Sequence, residues 1–158
     1  MTTRQLLPAA LLAAVALIGA GCGGSSDDEP SAADAQTAYG PVKAQITGLG
    51  ESIGTAMTSA SRETDVEFAH AFAQLDARGH AVVARLNALE VPNDLDDERQ
   101  AFSEALARGT ADLADIASAA RASDAAAARG AVKQLIADSQ QLGNARAAFE
   151  RALNDAAK

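Results

Sequence analysis

The sequence predicts an all-α protein, an up-down antiparallel four-helix bundle standing behind a cleaved signal peptide and a flexible tether. Three observations carry this. Apolar residues in four successive segments step by three and four, the period of one helix face. No stretch alternates with period two, so no strand is expected. Aromatic side chains make up only 3 % of the 158 residues and tryptophan is absent, so aliphatic, alanine-rich faces must build the core. Alanine loses no side-chain entropy in a helix and is depleted in strands. A chain of this length makes one domain, and its composition divides it into residues 1–21, a signal peptide, residues 22–33, a tether, and residues 34–158, the bundle.

The leader comes first. Arg4 and the amino terminus are positive, residues 6–18 form an apolar run of 13, and Gly19 to Gly21 make a small-residue neck. The run carries Pro8 and falls short of the ~20 apolar residues of a membrane helix, which marks it as a secretory signal rather than a span.

The only cysteine, Cys22, follows that neck directly, with Gly19, Ala20 and Gly21 before it and Leu17 and Ile18 just upstream. This stretch resembles the lipobox of bacterial lipoproteins. The resemblance implies a diacylglyceryl group on the Cys22 sulfur, cleavage just before Cys22 by signal peptidase II, and a freed amine open to acylation. Gly19 departs from the pattern, which most often has leucine there, and slower processing is the expected consequence. The resemblance covers the first two dozen residues only. Two acyl chains give stable anchoring where one is marginal. After Cys22, the stretch GGSSDDEPSAAD is acidic and of low complexity, a flexible tether with nothing to bury.

Helices are expected over about residues 41–60, 65–90, 95–121 and 125–156. Gly40-Pro41 interrupts or kinks the first, Thr64 to Glu67 is a capping box for the second, Pro92 parts the second from the third, and Ser123-Asp124 caps the fourth. The first seam runs through Val42, Ile46, Leu49, Ile53 and Met57, and the second through Phe68, Phe72, Leu75, Gly79, Val82 and Leu86. The third runs through Phe102, Leu106, Gly109, Leu113 and Ile116, and the fourth through Val132, Leu135, Ser139, Leu142 and Phe149. In an antiparallel pair, residues at one level have position numbers with a constant sum. Phe72 with Ile116, Leu75 with Leu113, Gly79 with Gly109 and Leu86 with Phe102 share one constant, as do Leu113 with Val132 and Gly109 with Ile136 in the last pair.

Gly79 and Gly109 therefore face each other at mid-bundle. Each costs its helix ~1 kcal/mol relative to alanine, so the level needs a reason. One reason is a cavity that admits a small apolar ligand; the other is close helix approach, with Ile46 and Ile136 filling the level. Seam glycines ordinarily serve packing, and close approach is the expected role.

Motifs for catalysis are weak. Gly50 to Gly54 reads G-x-S-x-G, but a nucleophile elbow needs a strand before Ser52, and none is expected. Glu67 and His70 form one E-x-x-H where a di-iron bundle needs two, and His70 points away from the seam. Asp76 and His80, one turn apart, form at most a flanking polar pair. These four are the weak candidates for a metal, and no metal site or other cofactor is expected beyond the covalent lipid. The acidic run Asp94 to Glu98 lacks the ligand spacing of a calcium loop and suits the start of a helix.

Charge narrows the partners. The 13 basic and 21 acidic residues leave a net charge of −8, or −9 once Arg4 is removed, so nucleic acid is excluded and anionic headgroups repel the chain. The expected protein is a lipid-anchored, non-enzymatic envelope component on the extracytoplasmic face of the cell membrane. Its partner is an envelope protein, or in a ligand-carrying version a metal ion, haem or small apolar molecule. Intact mass measurement of membrane-extracted protein is expected to show a chain starting at Cys22 with acyl groups attached. Cys22→Ala is expected to leave a full-length, unmodified chain, and an unchanged mass and unchanged partitioning would overturn the anchor.

Overall fold

The computed structural model describes residues 29–158. The leader, Cys22 and most of the tether lie outside the described residues. The bundle consists of α1 (Ala32–Ser59), α2 (Asp65–Asn87), α3 (Asp96–Arg121) and α4 (Ala125–Ala156), with single turns of 3-10 helix at Ala60–Arg62 and Asn93–Leu95. The connections are short, so each helix runs antiparallel to the next, and there is no strand among the described residues.

Local chemistry sets most of the ends. Thr64 Oγ1 accepts from the Glu67 amide at 3.3 Å, and Glu67 Oε2 accepts from the Thr64 amide at 2.9 Å, which completes the capping box of α2. Asp124 accepts from the amides of Ala126 and Ala127, each at 3.0 Å, at the start of α4. Before it, α3 ends in a Schellman closure. The Ser123 amide donates to Ala120 O and the Asp124 amide to Ala119 O, and Ser123 takes the left-handed φ of 52° that this closure requires.

The first helix departs from expectation. It starts at Ala32 rather than near residue 41 and carries Pro41 inside it. Ser31 caps it by accepting from the Asp34 amide at 3.2 Å. The helix thus begins two residues inside the stretch read as tether. Pro41 removes one backbone bond, at a cost of roughly 3 kcal/mol in a helix interior. The turns before it are retained because Ala35 and Tyr39 are buried in the core. Burying an aromatic of ~150–250 Å² at ~25 cal/mol per Å² stabilises by about 4–6 kcal/mol, enough to outweigh the proline.

The core falls into two apolar clusters. One gathers Tyr39, Val42, Ile46, Val82, Leu86, Phe102, Leu106, Phe149 and Leu153, and the other Leu49, Ala56, Phe72, Leu75, Leu113 and Ile116. Among the described residues both clusters draw on positions 35–153, and Ala32 is buried beside them. Between them lies a waist of small or polar side chains. At this level a Cβ on Gly79 would stand 2.6 Å from Thr110 Oγ1 and 2.8 Å from Thr110 Cγ2. Gly79 thus serves close approach, but to Thr110. Gly109, its expected partner, faces open space.

The last hairpin is corrected as well. Phe102 lies against Phe149, with ring centroids 5.9 Å apart, and Asp112 meets Asp138. Relative to the expected pairing, α4 has slipped along α3 by about five residues, roughly 8 Å. Asp138, not Ser139, occupies the seam, and Ile136 is 57 % exposed rather than filling the glycine level. Ile46, by contrast, is buried. The four residues Gly79, Gly109, Ile46 and Ile136 therefore do not form one level.

The two glycines should respond in opposite directions to alanine. Gly79→Ala is expected to destabilise by about 1 kcal/mol, the steric cost of ~1–3 kcal/mol exceeding the ~1 kcal/mol gained in helix propensity. Gly109→Ala is expected to stabilise by roughly 0.5–1 kcal/mol. Urea unfolding of both variants measures the pair.

Candidate functional site

No loop joins α1 to α4, so side chains must close the bundle between them. They do so at one end. Tyr39 of α1 makes edge contacts with Phe149 at 5.2 Å and Phe102 at 6.4 Å between centroids, and its hydroxyl donates to Glu150 Oε1 at 2.9 Å. The same oxygen accepts from Arg146 Nε at 2.8 Å and pairs with Lys43 Nζ at 3.3 Å. Gln36 of α1 donates to Asn154 of α4 one turn further out. Burial raises the Tyr39 phenol well above its ordinary value, helped by the Glu150 carboxylate, so the hydroxyl stays a neutral donor. Burial opposes ionisation of Glu150, but the hydrogen bonds from Arg146 and Tyr39 outweigh it and hold the carboxyl below the usual range. The cluster carries two cations against one carboxylate.

Beyond this lock, α1 and α4 part, and a groove of about 300 Å³ opens between them with α3 as its floor. Ile46, Leu49, Ile53 and Met57 form the α1 wall, and Val132, Leu135, Ile136 and Leu142 the α4 wall. The floor is Leu106, Gly109, Thr110 and Leu113. Its two hydroxyls are already engaged by their own helices: Thr110 Oγ1 donates to Leu106 O at 2.9 Å and Ser139 Oγ to Ile136 O at 2.7 Å. The groove offers apolar surface and no unpaired side-chain donor or acceptor among the described residues. Gly50 also lines it, with nothing within 4 Å of its Cβ position.

A second feature sits in the α3–α4 seam. Asp112 and Asp138 are 6 % and 5 % exposed and face each other across the two helices. Gln134 donates to Asp138 Oδ2 at 3.1 Å, while Asp112 Oδ2 has no donor. Burial pushes the Asp112 carboxyl up from its ordinary 3.8 to about 6, and the neighbouring Asp138 and Asp115 carboxylates add to the rise. The cover over Asp112 and Asp138 is shallow, a layer of mostly small side chains rather than deep core.

The search against protein-family models returned none that fits the chain, and neither the curated proteins nor the solved structures contain a significant match.

The catalytic and metal motifs do not assemble. Ser52 lies in the middle of α1, donates to Gly48 O at 2.7 Å and accepts from Arg78 Nη1 at 3.0 Å, and no strand presents it. Glu67 is spent on the capping box, and the exposed His70 bonds Gln74 at 2.8 Å. His80 Nε2 lies 3.3 Å from Asp76 Oδ1 on the surface. Asp96 bonds Arg99 in the first turn of α3, at 2.6 Å to Nη2, where Asp97 and Glu98 also lie, as the helix dipole favours. Among the described residues no three His, Cys, Asp or Glu side chains gather as a metal site requires. Sequence reasoning missed Tyr39, Lys43, Arg146 and Glu150, whose one visible sign is the i, i+4 spacing of Arg146 and Glu150. It also missed Asp112 and Asp138, which a polarity pattern places outside.

The acid pair makes a pH prediction. Folded Asp112 keeps its proton up to about pH 6 and an unfolded aspartate only to its ordinary 3.8, so this stabilisation is full below about pH 4 and is lost as pH rises through 6. Asp112→Asn should remove that loss. Its stability relative to the unsubstituted chain is expected to rise by about 2 kcal/mol between about pH 4 and pH 7. Denaturant titrations of both chains at each pH check this, the difference cancelling the carboxylates that do not adjoin Asp112.

Proposed function

We propose that this chain is a lipoprotein held at the extracytoplasmic face of the cell membrane through Cys22, and that its bundle is a non-enzymatic binding module whose working surface is the α1–α4 groove. The anchor rests on the leader and its cysteine. Among the described residues no helix is long and apolar enough to cross a membrane, which leaves attachment in this reading to the lipid. The observation that carries the binding role is the groove itself, a half-open apolar channel with large side chains on both lips and its polar atoms already satisfied. Water in such a channel gains no hydrogen-bond partners, and an apolar ligand that displaces it is favoured.

Its shape selects the ligand. From Ile46 to Met57 the channel runs about 16 Å along α1. A half-open apolar groove of about 300 Å³ along that length is within the size range of small-molecule sites, and its length suits an elongated molecule. The metal and haem versions of a carrier have no comparable support, since His70 and His80 both face solvent.

N-phenyl-1-naphthylamine, an uncharged apolar fluorophore, tests this on the chain from residue 23 onward, which keeps every described residue. One saturable site is expected. Gly109→Leu, which directs a side chain into open space on the groove floor, is expected to abolish binding while the cooperative unfolding transition remains. Absence of a saturable site, or unchanged binding by a folded Gly109→Leu chain, would sink the proposal.

A further inference from the structure

The groove is not electrically symmetric. At its Ile46–Leu142 end stands the lock, in which Lys43 and Arg146 share the single carboxylate of Glu150 and Tyr39 is a neutral donor. Lys43 is three residues before Ile46, and Arg146 four residues after Leu142, so both cations stand within about 4–6 Å of the groove's end along their helices. Arg146 reaches Glu150 through Nε and lies beside the Tyr39 hydroxyl. At the opposite end, beyond Met57, a hollow between the two turns is lined by Glu63, Asp65 and Asp124 against Arg129. The lock end of the channel therefore offers an anion two cations that share one carboxylate, whereas the far end mixes acids with Arg129.

We infer that the groove holds the hydrocarbon chain of a monomeric, single-chain anionic amphiphile of the fatty-carboxylate class, with its head group met by Lys43 and Arg146. This rests on the reading of the groove as a ligand site and adds the ligand's charge and direction to it. The chain lies along Leu106, Gly109 and Leu113, with its tail toward Met57. The carboxylate takes the Nη donors of Arg146, whose planar fork matches it, and the charge of Lys43. Net negative charge on the protein does not oppose this. At a few ångströms the two adjacent cations dominate, while more distant charges are screened over roughly 8–10 Å at physiological salt. A bilayer of anionic lipid, which meets the whole surface at once, is repelled.

Displacement of N-phenyl-1-naphthylamine by dodecanoate and by dodecanol, below their aggregation concentrations, separates the parts of the argument. Dodecanoate is expected to bind about tenfold more tightly than dodecanol. Arg146→Gln and Lys43→Gln should each shrink that ratio and leave dodecanol unchanged. Glu150→Gln, which releases both cations and keeps an acceptor for Tyr39, should tighten dodecanoate severalfold. Equal binding of the two ligands, or a ratio that ignores these three substitutions, would overturn the head-group assignment while leaving the groove intact. Binding of neither ligand would overturn the groove reading itself. Association with phosphatidylglycerol vesicles without displacement by dodecanoate would also overturn the inference, in favour of a membrane surface.

Discussion

The contact between Gly79 and Thr110 governs the middle of this bundle. With a missing Cβ on one side and a short β-branched side chain on the other, α2 and α3 meet closely, and no side chain fits at position 79 without Thr110 moving. Gly109 beside it contributes no side chain. The floor of the bundle at this level therefore has no atoms to send upward between α1 and α4, and the groove is the volume left over. The same shortage parts the apolar core into two clusters, one anchored on Phe102 and Phe149 and the other on Phe72 and Ile116. A core that is empty at its waist on one side is tolerated because the gap reaches solvent; an enclosed void of that size would forfeit the contacts of its lining.

What holds α1 against α4 is then a matter of one end. Tyr39 combines two functions that are seldom met by one side chain in so aromatic-poor a chain. Its ring packs edgewise on two phenylalanines, each such pair adding about 0.5–1.5 kcal/mol beyond area burial, and its hydroxyl holds Glu150 where Arg146 and Lys43 converge. The polar part of this lock leaves a surplus of positive charge beside the groove.

Most of the fold was legible because the helix ends carry chemistry in the chain itself. Thr64 with Glu67, Pro92, and Asp124 each mark a boundary by a local mechanism, and the α2–α3 pairing follows from residues that all face one way. Two things were not legible. Gly40-Pro41 reads as an interruption, and only the tertiary burial of Tyr39, on the seam that continues through Ala35, Tyr39, Val42 and Ile46, shows why the helix runs through it. The α4 register failed at Asp138, since a pattern of polarity puts an aspartate outside and Ile136 inside, whereas the structure does the reverse. The groove inherits that failure. Its α4 wall is made of side chains that the pattern would have buried, and Gly109 was the single hint that something at this level was left unfilled.

The two helices that frame α4's position differ in how firmly they are held. On α3 twelve residues are buried, facing α2 on one side and α4 on the other, so its place is determined by core packing. On α4 the buried residues are only Asp138, Phe149 and Leu153, so the helix is pinned by apolar side chains at its carboxyl end and midway by a carboxyl pair. The Asp112 carboxyl, held protonated up to about pH 6, meets Asp138 there, and its ionisation adds charge to the seam. The strength of that midway tie depends on protonation, while the carboxyl-end tie depends on burial. The wall that would contact a bound hydrocarbon chain holds half-buried Val132 and Leu135 packed on the second core cluster but no fully buried apolar residue, which makes it the side better able to yield to ligands of different girth.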